Sequence, residues 1–498
     1  LKRKLSKLAL ALVLAMLLSS SLADFGVTVA GGNLEFVPLI AVAPDDPANS
    51  STPDASGLAC NVPTKSGVEA PAYKNSLIHC YTPSNIYNAY GVKALHEAGW
   101  TGQGETIVIV DSYGSPTALH DLQVFSQYFG LPAPDLTIYY PNGAPTYNIT
   151  SPKDAQSGWA FETNLDLQWA HAIAPNARLV LVAANPQESE GVQGFPSMFK
   201  GEQYAISKYP GSVISQSFAV TEQSFHSAAD VQVARFDQVY QQAKANRVTV
   251  ISAAGDDGTA NGDKQGRVYP YPTAQWPASS PWVTAAGGTW LQYGWKWNPT
   301  ISADAYYNGG SASDYLNFDV TDSKTEAVWK EDWLPAATGG YRSSLYSTPA
   351  YQSSISQSLL KGQRGVPDIS WNAAVDGGVL VYTSFGGTRV GWHPVGGTSA
   401  STPQLAGLVA IANQVAHSQG KKSVGFINPV LYQMSGSSFE DVVPQNFGTG
   451  AGATTLDSNA EYGSGIAGAA TTAGYDLTNG LGVPKADKFV MELVSKSS

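Results

Sequence analysis

Five short β-rich runs, at residues 106–110, 179–183, 213–217, 248–252 and 379–383, set the frame of this chain. Between them lie stretches with helical spacing. Strands that read as nearly continuous aliphatic runs are buried on both faces, and strands alternating with helices form a mainly parallel sheet with helices packed on either side. An α/β fold is therefore expected. Gly-rich and aromatic-rich stretches at 290–351 and 448–474 interrupt the alternation and read as long loops. There is no internal repeat, and 498 residues are enough to bury a sizeable core.

Residues 1–7 are basic, 8–18 apolar, and Ser21-Leu22-Ala23 supplies small residues for cleavage, so 1–23 reads as a secretory signal peptide with Asp24 the first retained residue. No later stretch is apolar for the roughly 18 residues a membrane span requires, so no membrane association is expected after signal removal. Residues 24–79, rich in Pro, Ala, Ser and Asp, read as an N-terminal linker or short pro-segment, and 80–498 as the functional domain. Only 13% of residues are charged, against roughly 25% in an average soluble domain. A chain with so few carboxylates has little charge to lose in acid, which suits an acid-tolerant extracellular monomer. The net charge of -11 argues against a nucleic-acid partner. Cys60 and Cys80, the two cysteines, could form one disulfide in a secreted chain or remain two thiols.

Chemistry concentrates in three stretches. Gly396-Gly397-Thr398-Ser399-Ala400-Ser401-Thr402-Pro403 runs into an apolar helix with Leu405, Leu408, Val409 and Ile411. The glycines free the backbone to seat Ser399 at a helix N-terminus, where unpaired N–H groups favour developing negative charge, and Pro403 is expected within the first turn. The same residues would also serve as an ordinary N-cap on a core helix. In residues 158–175, Glu162, Leu165, Asp166, Trp169 and Ile173 share one stripe, while Asn164, Gln168 and His171 share another, and Pro175 ends the helix. Two carboxylates one turn apart on an apolar stripe repel each other and are suited to acid–base work. The third stretch is the run at 248–252 followed by Gly255-Asp256-Asp257-Gly258, which sets Asp256 at the carboxyl end of a parallel strand, where clefts form.

With these residues in view, the chain resembles the sedolisins, the serine-carboxyl peptidases with a subtilisin-like fold. The resemblance runs from Cys80-Tyr81-Thr82-Pro83 to Gly480-Leu481-Gly482-Val483-Pro484. It implies Ser399 as nucleophile, Glu162 as its general base, Asp166 as the carboxylate that orients Glu162, and Asp256 as the oxyanion donor. It also implies that Val213-Ile214-Ser215-Gln216-Ser217-Phe218 holds the peptide backbone by strand addition. One structural calcium ion (Ca2+) is implied on Asp441 and Asp476, with the carbonyls of Val442, Thr472 and Gly474. Protein or peptide substrates follow. Two other readings remain open: a Ser-His-Asp hydrolase using Asp111 and His120, and an inactive secreted scaffold that binds peptides. A scaffold has no physical need for four such side chains together. Because Asp256 has to be protonated to donate to an oxyanion, the working range expected from ordinary carboxylate values is about pH 3 to 5.

Overall fold

A computed structural model describes residues 37–38, 41–42, 80–150, 154–184, 196–225, 227, 229–263, 266–293, 324–331, 334–385, 390–447 and 454–497. The expected signal peptide, and all of the expected linker except two pairs of residues, fall outside these.

Four of the five runs enter an eight-stranded sheet. Its order is Lys324–Val328, Thr284–Tyr293, Thr249–Ala253, Val213–Gln216, Thr106–Ser112, Arg178–Ala184 and Asp135–Tyr139, with Ile369–Asn372 also paired to Thr284–Tyr293. All these pairings are parallel except that of Lys324–Val328. The strand Thr106–Ser112 shows why its sequence carries no polar alternation. Ile107 and Ile109 point into one core and Val108 and Val110 into the other, all four fully buried.

The fifth run departs from expectation. Gly378–Thr383 pairs antiparallel with Gly391–Gly396, from which seven residues separate it, in a separate four-stranded sheet. Seven residues are too few for the crossover that a parallel return requires. The two presumed loops also contain strands. Lys324–Val328 lies along Thr284–Tyr293, and Thr454–Leu456 pairs with Gln445–Phe447. Their sequences, Lys-Thr-Glu-Ala-Val and Thr-Thr-Leu, lack the apolar runs that marked the other strands.

On one face of the main sheet, the serine helix Thr398–Ser418 crosses the carboxylate helix Ala155–Ile173. The contact is close at Gly407, where a Cβ would lie 2.7 Å from Ile173 Cβ. Glycine there lets the two backbones approach to a distance no side chain would allow. The carboxylate helix ends at Ile173, as Pro175 dictates. Cys80 is disulfide-bonded, and Cys60 is the chain's other cysteine.

Candidate active site

The turn ahead of the serine helix is built from two glycines with different duties. At Gly396 a Cβ would meet Ala373 O at 2.4 Å, and Gly397 adopts φ 93°, a conformation that disfavours side chains. The helix then begins at Thr398, so Ser399 is its second residue. Pro403 is the sixth, deeper than the first turn expected from the sequence. Its missing N–H leaves the carbonyl of Ser399 without the usual helical partner. One residue earlier, the carbonyl of Thr398 accepts from the hydroxyls of Ser401 and Thr402 at 2.9 and 2.8 Å.

Ser399, Glu162 and Asp166 are fully buried. Burial raises the pKa of Glu162 well above its ordinary range, and the charges of Asp166, Asp111 and Asp256 raise it further, while the Ser399 hydroxyl acts in the opposite sense. All five side chains therefore converge. The hydroxyl lies near enough to favour the ionised form of Glu162, yet Ser399 Oγ and both Glu162 oxygens lack a hydrogen bond of ordinary geometry. Active-site contacts commonly tighten only when substrate is bound. Asp166 is also raised by burial and by Asp111, against the Ser217 hydroxyl, which donates to Asp166 Oδ1 at 2.8 Å.

The second stripe of the carboxylate helix is as buried as the first. Asn164 Nδ2 donates to Asp121 at 2.7 Å, Gln168 bonds both backbone groups of Tyr382, and His171 Nε2 meets Pro132 O at 3.0 Å. Helical spacing separated the stripes correctly. It could not tell a polar face satisfied by protein from one satisfied by water.

Asp256 follows the strand Thr249–Ala253 and reaches the start of the serine helix. Its Oδ1 accepts from Thr398 N at 2.7 Å and from Thr398 Oγ1 at 2.8 Å. The residue is partly exposed, but Oδ2 is shut off from solvent and has no partner. Burial pushes its pKa up to about 8 despite the two Thr398 bonds. A neutral carboxyl with an uncommitted oxygen, one residue from the nucleophile through Thr398, is suited to donating toward an oxyanion.

Asp111 belongs to this cluster in a role the sequence did not suggest. It is the next-to-last residue of the strand Thr106–Ser112, its Oδ2 accepts from Thr163 Oγ1 at 3.0 Å, and burial pushes it up to about 7. His120 makes no triad with it. His120 Nδ1 instead contacts Asp121 Oδ1 at 3.0 Å and Ser384 Oγ at 3.2 Å. Ser217 and Thr398 were likewise missed, since serine and threonine are too common for position alone to flag them. The segment expected to hold substrate divides in two. Val213–Gln216 has its backbone committed to sheet neighbours on both sides, whereas the following strand, Phe218–Thr221, lies outside the main sheet, paired antiparallel with Gln275–Trp276 and with Val37–Pro38.

The loops of the expected calcium site are adjacent, because Gly474 N donates to Asp441 Oδ2 at 2.9 Å. Asp476 accepts from Thr472 N, Thr478 N, Thr478 Oγ1 and Asn479 N at 2.8–2.9 Å. Its donors are N–H and O–H groups, and among the described residues no group of three or more His, Cys, Asp or Glu could hold a metal. Two carboxylates plus carbonyls would thus be the whole donor set.

The chain is 30% identical over 374 residues to kumamolisin of Bacillus sp. (strain MN-32), an alignment covering 74% of this chain and 57% of that protein. It is 28% identical over 400 residues to sedolisin of Pseudomonas sp. (strain 101), covering 77% and 59%. Against human tripeptidyl-peptidase 1 it is 28% identical over 340 residues, covering 67% and 52%. The chain thus spans between half and three-fifths of these relatives. The solved structure of Pseudomonas sedolisin, a serine-carboxyl proteinase complexed with pseudo-iodotyrostatin, superimposes with a TM-score of 0.63 at 25% identity over 85% of this chain and 100% of that one. No protein-family model matches the chain.

Proposed function

This chain is homologous in sequence and in its subtilisin-like fold to the sedolisin peptidases, and from that premise we propose that it is a secreted, acid-active serine-carboxyl endopeptidase. The observation that carries the reading is the convergence of the fully buried Ser399, Glu162 and Asp166 with the partly exposed Asp256, brought together by two packed helices and a strand end. Ser399 attacks the scissile carbonyl, its proton passing to Glu162, and the amine leaves with that proton. Water then hydrolyses the acyl-enzyme. Asp256, protonated, donates to the oxyanion that forms in each half.

Burial opposes every charge in the cluster, so it sheds its first proton most easily and each later one with more difficulty. A single negative charge placed on Glu162 and held there by a protonated Asp166 makes a base, while Asp256 remains neutral. More alkaline conditions add charge where none is useful. Secretion is supported by the pattern of residues 1–23 and by the disulfide at Cys80. Among the described residues no helix is long and apolar enough to cross a membrane. The reading includes a monomeric enzyme with one structural Ca2+ on Asp441 and Asp476 and the carbonyls of Val442, Thr472 and Gly474. The bond linking Asp441 to Gly474 supports it, and chelation should test it.

Casein digestion across pH tests the function, with Ser399→Ala as control. Digestion in acid that disappears in the variant supports it. Digestion only above neutrality, or none by the parent chain, would refute it.

A further inference from the structure

The serine helix and the central strand that holds Asp111 each have a second end, and side chains with acyl-transfer chemistry meet there as well. His417 lies in the last turn of Thr398–Ser418, and Glu105 stands immediately before Thr106–Ser112, at the end of that strand away from Asp111. Along the helix, His417 is roughly 27 Å from Ser399 at ~1.5 Å per residue. His417 Nδ1 lies 2.7 Å from Glu105 Oε1, and His417 Nε2 lies 3.2 Å from Ser423 Oγ. An ionised carboxylate only accepts, so Nδ1 carries the proton toward Glu105 and Nε2 is left as the acceptor for the Ser423 hydroxyl. Serine, histidine and carboxylate thus follow one another in the order of a hydrolase triad, which is defined by geometry and roles and not by position in the chain.

The serine is held in place from three directions. Arg247 Nε donates to the Ser423 carbonyl at 2.9 Å, Val424 N donates to Asn413 Oδ1 at 2.8 Å, and Lys421 N donates to Ala416 O at 2.9 Å. Gly211 packs against it, with φ 80° and a position where a Cβ would lie 2.5 Å from Ser423 Oγ, so no side chain covers the hydroxyl from that side. Beside Gly211, Ser212 has a buried hydroxyl with no hydrogen-bond partner among the described residues, a donor still uncommitted near the nucleophile. The Glu105 side chain is 7% exposed and that of His417 45%, which gives a shielded carboxylate and an imidazole open to water. Burial raises the pKa of Glu105, and its bond to His417 acts in the opposite sense.

We propose that Ser423, His417 and Glu105 form a second nucleophilic centre, separate from Ser399, that accepts acyl groups from small activated esters. Ser423 is buried and reached past the exposed imidazole, which suits a short acyl group and not an extended peptide. Ser423 Oγ bonds to the acyl carbon, its proton passes to His417 Nε2, and the ester oxygen leaves as an alcohol or phenol with that proton. Water, deprotonated by the same nitrogen, then attacks the acyl-serine and releases the acid, and the serine recovers its proton. Glu105 touches neither substrate nor acyl group. It is a positioning residue that fixes the imidazole's orientation and favours its charged form as the proton arrives.

The test uses the full chain carrying Ser399→Ala, so that the first site is silent. After treatment with diisopropyl fluorophosphate near neutrality, peptide mapping should find the phosphoryl group on Ser423, with fluoride lost. Turnover of p-nitrophenyl acetate should saturate with substrate and rise with pH as an imidazole loses its proton. Adding Ser423→Ala should abolish the adduct and lower turnover about a hundredfold. Glu105→Gln, which retains a hydrogen-bonding side chain without the charge, should slow both reactions and shift the rising limb of the pH profile. A phosphoryl group found elsewhere or nowhere, or turnover that Ser423→Ala leaves unchanged, would overturn the proposal and leave His417 as a pin at the end of the serine helix. Casein digestion with Ser399 intact judges the peptidase reading separately, whichever result is obtained.

Discussion

Replacing Asp256 with Asn separates the oxyanion role from a merely structural one. Burial holds this carboxyl neutral up to about pH 8, so its proton is available as a donor throughout acid and is lost as pH rises through that value. About one unit above the pKa, roughly a tenth of molecules still carry the proton, and kcat/KM should have fallen about tenfold if this group alone governs the limb. The range of about pH 3 to 5 expected from ordinary carboxylate values thus extends upward, because the sequence conveys nothing of how deeply Oδ2 is enclosed. Asn is neutral at every pH and keeps an N–H donor. Asp256→Asn should therefore lose less rate in acid than Asp256→Ala, whose loss should be roughly a hundred- to a thousandfold, and its alkaline limb should move up. The assay is kcat/KM for a fluorogenic peptide across pH, which reports the free enzyme. An alkaline limb left in place in Asp256→Asn, with the parent and both variants otherwise parallel, would refute the assignment.

Ser399→Ala should reduce turnover by roughly a millionfold by analogy with the subtilisin series, and an aldehyde peptide should lose its covalent adduct, measurable by mass spectrometry. Asp111 is raised by burial to about 7 in the folded state; its contribution to stability is therefore fully present below its ordinary pKa near 3.8 and is lost as pH rises through about 7. Calorimetry should show Tm falling over that interval, with a shallower fall in Asp111→Asn. Arg364, fully buried against Asp368 at 2.6 Å, should cost about 3–5 kcal/mol when changed to Ala, because an uncompensated carboxylate is left inside; urea titration measures it. Chelator treatment should lower Tm and calcium addition restore it if Asp441 and Asp476 hold the ion, and an unchanged Tm with no calcium by elemental analysis would remove the site.

Much of the frame was legible because it depends on local pattern. The aliphatic run at 106–110 had to be buried on both faces, the glycines before Ser399 had to allow a turn, and the spacing of Glu162 and Asp166 put them on one stripe. What escaped depends on neighbours distant in sequence. Asp111 reads equally well as a triad aspartate until Thr163 is found on it and His120 is found on Asp121 and Ser384. Gln168 looks solvent-facing until Tyr382 supplies both its partners. The strand Gly378–Thr383 has the composition of a central parallel strand, and only the short return to Gly391 makes it half of a hairpin.

The close crossing at Gly407 makes the alignment of nucleophile and base a remote property. Ser399 and Glu162 sit on different helices, about 12 and 16 Å along their axes from the contact at a rise of about 1.5 Å per residue. A methyl at 407 would have to displace Ile173, whose Cβ stands 2.7 Å from where it would be. The helices would part or pivot, and a tilt too small to unfold the core would be magnified along their length into a changed separation at the catalytic end. Gly407 thus works as the fulcrum of a pair of tongs, and a chain altered there could remain folded, keep every catalytic residue, and yet fail to bring them into register.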